Sequence, residues 1–431
     1  MSTPFLFLIG LFLALGAIGM PIGFAMIVAG IAYLFAAGRD VGLASEQMLN
    51  QLYNSFVLLA VPLFIFAANV MNAGTISDRL LAFCLAIVGR LRGGLAHVNV
   101  VASLIFSGMS GSALADAAGI GRVLIDMMTR EGRYPRGFAA AVTAASATIG
   151  PIIPPSIPLV LYALVSSTSV GYLFLGGIIP GLMMAAALMV LIALTARRRG
   201  FPVEDPVPVA RLPGLTFRAF PALLLPVILL GGIYGGATTP TEAASVAAAY
   251  ALLLAGLFYR ALSVRGLVDI LVNSAKSSAV IALIIAGAFV VNYAVTIEQV
   301  PNALAAWLDT IDIPPLAFFL AINVLFLLFG CFLDATTMLL VLVPLLMPAI
   351  RAMDIDPVHF GVVIVVNMMI GLVTPPYGVL LFVINGLTGI PLRAIIAEIW
   401  PFILVLLTAL VIMVLVPETV LWLPRVFGYE G

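Results

Sequence analysis

Charge is what this sequence lacks most. Only 9% of its 431 residues are Asp, Glu, Lys or Arg, while 63% are hydrophobic. Soluble proteins carry roughly 25% charged residues, and no water-soluble fold of this size covers itself with so few. The formal net charge is zero, which gives no footing for a nucleic-acid partner. Lys276 is the sole lysine. A Walker A lysine motif is absent, as are GxSxG and HExxH, so nothing here points to an enzyme or to ATP-driven transport by this chain alone. Cys84 and Cys331 sit singly in apolar runs and suggest neither a disulfide framework nor a metal site. His97 and His359 lie far apart and read as helix-end or packing residues. The N-terminus, MSTPFLFLIG, has no positive n-region and no small-residue cleavage pattern, and it reads as the first spanning segment.

What is present is apolar sequence in long runs, such as 5–37, 173–196, 219–236 and 399–416. About 20 residues at 1.5 Å each cross the hydrocarbon of a bilayer. Lipid excludes open sheet, and the alternation of a β-barrel is absent. The fold class is therefore an all-α, multi-pass membrane protein. Further segments lie near 53–73, 75–90, 93–109, 111–129, 135–150, 156–170, 241–260, 277–297, 314–330, 335–350, 357–372 and 376–388. The first run is read as two short helices broken at Gly19-Met20-Pro21. The polar stretch 197–218 is the candidate loop between halves, a connection with no function of its own.

Cytoplasmic loops carry the excess of Arg and Lys. Arg90 and Arg92 precede the 93–129 pair of segments, and Arg130, Arg133 and Arg136 follow it. Both ends of that pair therefore lie in the cytoplasm, which makes it a re-entrant helical hairpin. The 314–350 pair has Asp309 and Asp312 before it and Arg351, Asp354 and Asp356 after it, a base suited to the outer side. Counting spans between the two agrees, so the hairpins enter from opposite faces.

A repeat underlies this. Asp116 answers Asp334, Pro135 answers Pro357 at an offset of 222, and Pro154-Pro155 answers Pro375-Pro376 at 221, as Pro180 answers Pro401. Each copy reads hairpin tip, acidic residue, charged base, helix, Gly and Pro-Pro break, second half-helix. Inverted repeats with discontinuous helices mark many secondary transporters, whose sites lie at the midplane.

The first tip is Ser107-Gly108-Met109-Ser110-Gly111-Ser112, whose hydroxyls and carbonyls suit a small hard cation. The helix at 146–156, Ser146-Ala-Thr-Ile-Gly150-Pro-Ile-Ile-Pro-Pro155-Ser156, cannot continue through three prolines and a glycine. The half-helix ending there favours a cation by its dipole, and the one starting after it offers N–H groups to an anionic substrate. Pro155, Ser156 and Pro376 are the candidate substrate contacts. In the second copy, Asn367, Thr374 and carbonyls near Gly371 form a candidate second cation site. Asp116 and Asp334 each carry three open readings: a cation neighbour, a protonated carboxyl, or an N-cap. Asp126 is placed to pair with Arg122 or Arg130 at helical spacing. Glu242 reads as a helix start capped by Thr238, Thr239 or Thr241.

At these motifs the chain resembles the large membrane subunit of TRAP transporters, the tripartite ATP-independent periplasmic transporters. The likeness rests on Ser107 to Asp116, Tyr134-Pro135, Phe138 to Ser156, Gly235 to Ala244 and Thr374-Pro-Pro-Tyr-Gly378, and it covers nearly the whole chain. It implies multi-pass residence in the bacterial inner membrane and import of an organic acid or related solute on a sodium gradient. It also implies two partners, a small four-helix membrane subunit not fused here and a periplasmic binding protein. An elevator motion is implied, with 93–180 and 314–392 as transport repeats. The scaffold would then comprise 1–92, 181–313 with its loop at 197–218, and 393–431. Carried over, the first Na+ site involves Ser107, Gly108, Ser110 and Ser112 with Ser146 and Gly150. The second involves Gly330 and Asp334 with Asn367, Gly371 and Thr374. The second tip, Gly330-Cys331-Phe332, departs from the first in having fewer hydroxyls, so its site relies on carbonyls. The competing readings are a stand-alone carboxylate or cation–proton antiporter of similar architecture, and a polytopic membrane enzyme.

Overall fold

A computed structural model of the chain describes residues 2–72, 75–204, 207–311 and 313–431. Asp205, Asp312 and the Asp309 side chain lie outside the described residues. Among those described, all regular structure is helical. Six helices are long and apolar enough to cross a membrane: Val170–Arg199, Leu212–Tyr234, Pro240–Phe258, Val264–Ile297, Ala335–Ala352 and Leu392–Leu415. The first run breaks as the residues dictate. Thr3–Ala17 ends before Gly19, whose φ of 87° lies in the left-handed region, and Pro21 caps Ile22–Ala36.

Both hairpins are present. Gly94–Ser110 turns at Gly111, with φ 58°, into a second arm running from Ala113 to Thr129. Pro315–Gly330 turns through Cys331–Asp334 into Ala335–Ala352. The latter is about 27 Å long at 1.5 Å per residue and would span by length alone; it is an arm because it folds back on its partner. The two discontinuous helices break where the prolines fall. Arg136–Ala147 resumes as Ile157–Ser166, and Pro357–Gly371 resumes as Val379–Thr388. Both Pro-Pro bonds are cis.

Packing shows the repeat as a three-dimensional fact. Each hairpin's first arm packs on the first half-helix of its own repeat, Gly94–Ser110 on Arg136–Ala147 and Pro315–Gly330 on Pro357–Gly371. Each second arm packs on the second half-helix of the other repeat. Ala335–Ala352 meets Ile157–Ser166, and Ala113–Thr129 meets Val379–Thr388. Arginines tie the same junctions. Arg351 Nη2 donates to the Ser166 carbonyl at 3.0 Å, and Arg136 Nη2 donates to the Thr388 carbonyl at 3.4 Å. Each cation thus meets the negative end of a half-helix belonging to the other repeat. Gly137 to Ala147 and Val358 to Gly371 are buried on every side, as expected of helices at the centre of a bundle.

Around this lie Ile22–Ala36 against Val264–Ile297, and Ala60–Met71 against Pro240–Leu253. Thr239 caps the latter helix as one of the three threonines foreseen. Its N–H donates to Glu242 Oε2 at 2.8 Å, and the Glu242 N–H donates to Thr239 Oγ1 at 3.3 Å, a capping box.

Several sequence expectations change. The stretch 197–218 is not one loop: helix Val170–Arg199 runs through its three arginines, and Leu212–Tyr234 begins before its end. A boundary at 180/181 falls inside Val170–Arg199, because a single buried proline is accommodated in that helix. The segment read as 277–297 starts at Val264. Its polar first half packs on Gly42–Asn54, a helix with too few apolar residues to stand out, and Asn69 Nδ2 donates to Ser274 Oγ at 2.8 Å. No ion pair joins Asp126 to Arg122 or Arg130 among the described residues.

Candidate functional site

The first hairpin tip lies against the first Pro-Pro break. A Cβ on Gly111 would collide with the Pro155 carbonyl, and one on Gly150 would strike Asp116 Oδ2. Those two glycines are therefore required by close approach. Asp116 is 2% exposed. Its Oδ1 accepts the Ser110 hydroxyl at 2.5 Å, and its Oδ2 has no hydrogen-bond partner among the described residues. Ser112, not Asp116, caps the second arm, accepting the Ala115 N–H at 3.4 Å. Immediately after Asp116 the arm widens into a π-turn, Ala117–Gly121, a local irregularity that recurs at functional sites. Of Asp116's three readings, the N-cap is eliminated.

Asp334 resolves the other way. Its Oδ2 accepts the Thr337 N–H at 3.0 Å and its Oδ1 accepts the Thr337 hydroxyl at 2.5 Å. Both carboxylate oxygens are engaged in capping Ala335–Ala352. The mirrored aspartates therefore do different work.

The remaining hydroxyls are unevenly free. Ser107 donates to the Leu104 carbonyl at 2.5 Å and Thr374 to the Ile370 carbonyl at 2.7 Å. Ser146 donates to Asn99 Oδ1 at 2.9 Å and accepts from Ser103 at 3.0 Å. Its side chain is thus held in a fully buried network that Asn99 extends to Thr143 at 2.7 Å. In the second copy, Asn367 Nδ2 donates to Asn323 Oδ1 at 2.8 Å and to the Asn323 carbonyl at 2.7 Å. Its Oδ1 is buried and unpartnered among the described residues. Gly330 and Gly371 meet backbone to backbone: a Cβ on Gly371 would lie 2.8 Å from the Gly330 carbonyl carbon.

Sequence reasoning missed Asn99 and Asn323. Each is an amide in the first arm of its hairpin, and each holds the polar residue at the matched position of its broken helix. Asn323 is alone in an apolar arm, which was the available signal; Asn99 shares its arm with His97, Ser103, Ser107 and Ser110.

The substrate candidates separate as well. Ser156 is fully buried; its hydroxyl donates to the Pro151 carbonyl and accepts the Leu159 N–H at 3.2 Å. It caps Ile157–Ser166, so that helix start is already served. The second break is more open: Pro376 and Tyr377 are exposed, and Gly378 at the cap of Val379–Thr388 supplies no side chain to its amides. Its Leu380 and Leu381 amides already donate to the Leu372 and Gly378 carbonyls at 3.0 and 2.8 Å, so what distinguishes this break is its exposure.

The family described as "Tripartite ATP-independent periplasmic transporter, DctM component" matches residues 9–419. The chain is 43% identical over 413 residues to the sialic acid TRAP transporter large permease protein SiaM of Vibrio cholerae, covering 95% of this chain and 96% of that one. It is 40% identical over 373 residues to the C4-dicarboxylate TRAP transporter large permease protein DctM of Pseudomonas aeruginosa, covering 86% and 87%. Among solved structures, the YdaH transporter of Alcanivorax borkumensis, described as having an unusual topology, aligns with a TM-score of 0.63 at 16% identity. The alignment covers 96% of this chain and 98% of that one, a likeness of fold.

Proposed function

The chain belongs to the DctM-component family of tripartite ATP-independent periplasmic transporters, and on that premise we propose that it is the large membrane subunit of a sodium-coupled importer of a small organic acid in a bacterial inner membrane. A transport family is not an enzyme family, and the absence of a catalytic motif is in keeping with that. Two relatives are named for sialic acid and for C4-dicarboxylates, both carboxylate-bearing solutes, which supports that substrate class here. The partners in this reading are a small membrane subunit and a periplasmic binding protein that delivers the solute.

The observation that carries the ion coupling is Asp116. A buried carboxylate with one oxygen unspent, beside a glycine at a helix break, is costly in a membrane by at least about 2.5 kcal/mol unless compensated. A sodium ion between Asp116, Ser110 and the carbonyls near Gly150 offsets that cost. The free Asn367 Oδ1 with carbonyls near Gly330 and Gly371 supplies a neutral counterpart. The substrate carboxylate sits at the exposed second break, beside Pro376 and Tyr377. Because Arg351 and Arg136 each bond the other repeat, the two repeats move as one body in an elevator motion. Val170–Arg199 and Leu392–Leu415 travel with that body, since both pack on the broken helices.

The test is reconstitution in proteoliposomes, with and without the small subunit and the binding protein. Uptake of a labelled carboxylate should require all three chains and an inward sodium gradient. Uptake by this chain alone would sink the tripartite reading. Uptake driven by a pH gradient without sodium would sink the coupling and favour the antiporter.

A further inference from the structure

The base of the first hairpin holds a second polar feature that the transport site does not use. Helix Val170–Arg199 packs its last turn directly on the turn before Gly94–Ser110: a Cβ on Gly93 would lie 2.9 Å from the Ala196 Cβ. The Gly93 N–H donates to the Pro202 carbonyl at 3.0 Å, which fixes the turn in place. The contact brings Arg197 beside Arg90 and Arg92. Together with Leu91, His97 and Ala193 they line a cavity of about 600 Å³.

Two properties make this a built site rather than a charged surface. His97 is 2% exposed, yet neither ring nitrogen has a hydrogen-bond partner among the described residues. No salt bridge engages Arg90, Arg92 or Arg197 among the described residues, whereas neighbouring Arg133 and Arg199 are matched by Glu204 at 3.0 Å and Glu398 at 2.8 Å. Three guanidinium groups and a buried imidazole converge on one volume, and the guanidinium groups can only donate hydrogen bonds.

We propose that this cavity binds a phosphoryl group at the cytoplasmic face. Arginine forks match phosphate oxygens two at a time. Val190, 60% exposed, lies on the same face of its helix as Ala193 and Arg197 and places an apolar side chain beside the arginines. A lipid phosphodiester and free phosphate offer the same chemistry to the arginines, and basic pockets of this kind at cytoplasmic membrane edges bind anionic headgroups.

The test uses the full purified chain in detergent and reads thermal stability and equilibrium binding. One arm adds phosphatidylglycerol micelles against phosphatidylcholine; the other adds inorganic phosphate against chloride at equal ionic strength. Arg197→Gln removes an exposed side chain from the cavity; Arg198→Gln changes the same helix turn off the cavity. Saturable binding of either probe, weakened about tenfold by R197Q and little by R198Q, supports the site, and the probe that binds names the source. A tenfold loss corresponds to about 1.4 kcal/mol. Absence of saturable binding by both probes, or equal weakening in both variants, overturns the proposal.

Discussion

Replacing Asp116 with Asn tests the central reasoning most sharply. The carboxylate is 2% exposed, with Oδ1 held by Ser110 and Oδ2 unspent among the described residues. Without a counter-ion, its charge costs at least about 2.5 kcal/mol at membrane depth. The single Ser110 bond, a hydrogen bond to a charged group, returns about 1.5–3 kcal/mol, and protonation would remove the charge at the cost of binding a proton well above the ordinary aspartate pKa of about 3.9. An amide keeps the acceptor for Ser110 and removes the charge. The amide also buries an NH2 group with no acceptor among the described residues, which costs about 1–3 kcal/mol, so in sodium-free buffer the variant should lie within about 2 kcal/mol of the native chain. A ligand at one hundred times its dissociation constant stabilises by about 2.7 kcal/mol, so the native chain should gain roughly that from saturating sodium and the variant only a small fraction. The assay is thermal unfolding in detergent, with sodium titrated against potassium at constant ionic strength. An undiminished sodium response in Asp116→Asn would refute the assignment.

Other predictions follow from contacts of equal definition. Gly371→Ala forces a Cβ to 2.8 Å from the Gly330 backbone, where nothing flexible can yield. It should cost about 1–3 kcal/mol by overpacking, seen as a lowered unfolding midpoint, and an unchanged midpoint would contradict the close approach. Tyr162→Phe removes the hydroxyl that donates to the Pro357 carbonyl at 2.7 Å and should cost one net hydrogen bond, about 0.5–1.5 kcal/mol, read as a lowered unfolding midpoint; an unchanged midpoint would contradict the contact. Glu298 accepts from the Ser2 hydroxyl and N–H and from Tyr33. The Ser2 bonds hold its carboxyl below the usual range. A depressed acid stabilises above its unfolded pKa and loses that contribution as pH falls through the folded value. Protection factors against hydrogen exchange at residues 3–8 should therefore fall on acidification below the ordinary glutamate range, and Glu298→Gln should flatten the profile.

What the sequence by itself determined is what depends on local chemistry. Hydropathy requires helices in lipid, because backbone groups there have no other partner. Pro151, Pro154 and Pro155, and likewise Pro375 and Pro376, cannot continue a helix, so the breaks fall where they stand. Gly111 marks the first tip, and the order of these features exposes the repeat. Helix ends were less legible: the polar start of Val264–Ile297 and Gly42–Asn54 are in contact with each other, and no window of sequence contains both.

Only the tertiary structure decided which side chains remain free. Ser146 is occupied by Asn99 across 47 positions, Tyr162 reaches Pro357 across 195, and Arg351 reaches Ser166 across 185. Asp116 and Asp334 hold matched places in the repeat, yet one oxygen of Asp116 is unspent while both of Asp334 cap a helix. The spacing of residues along a chain says what each could bind; whether a hydrogen bond is already made depends on which distant segment folds against it.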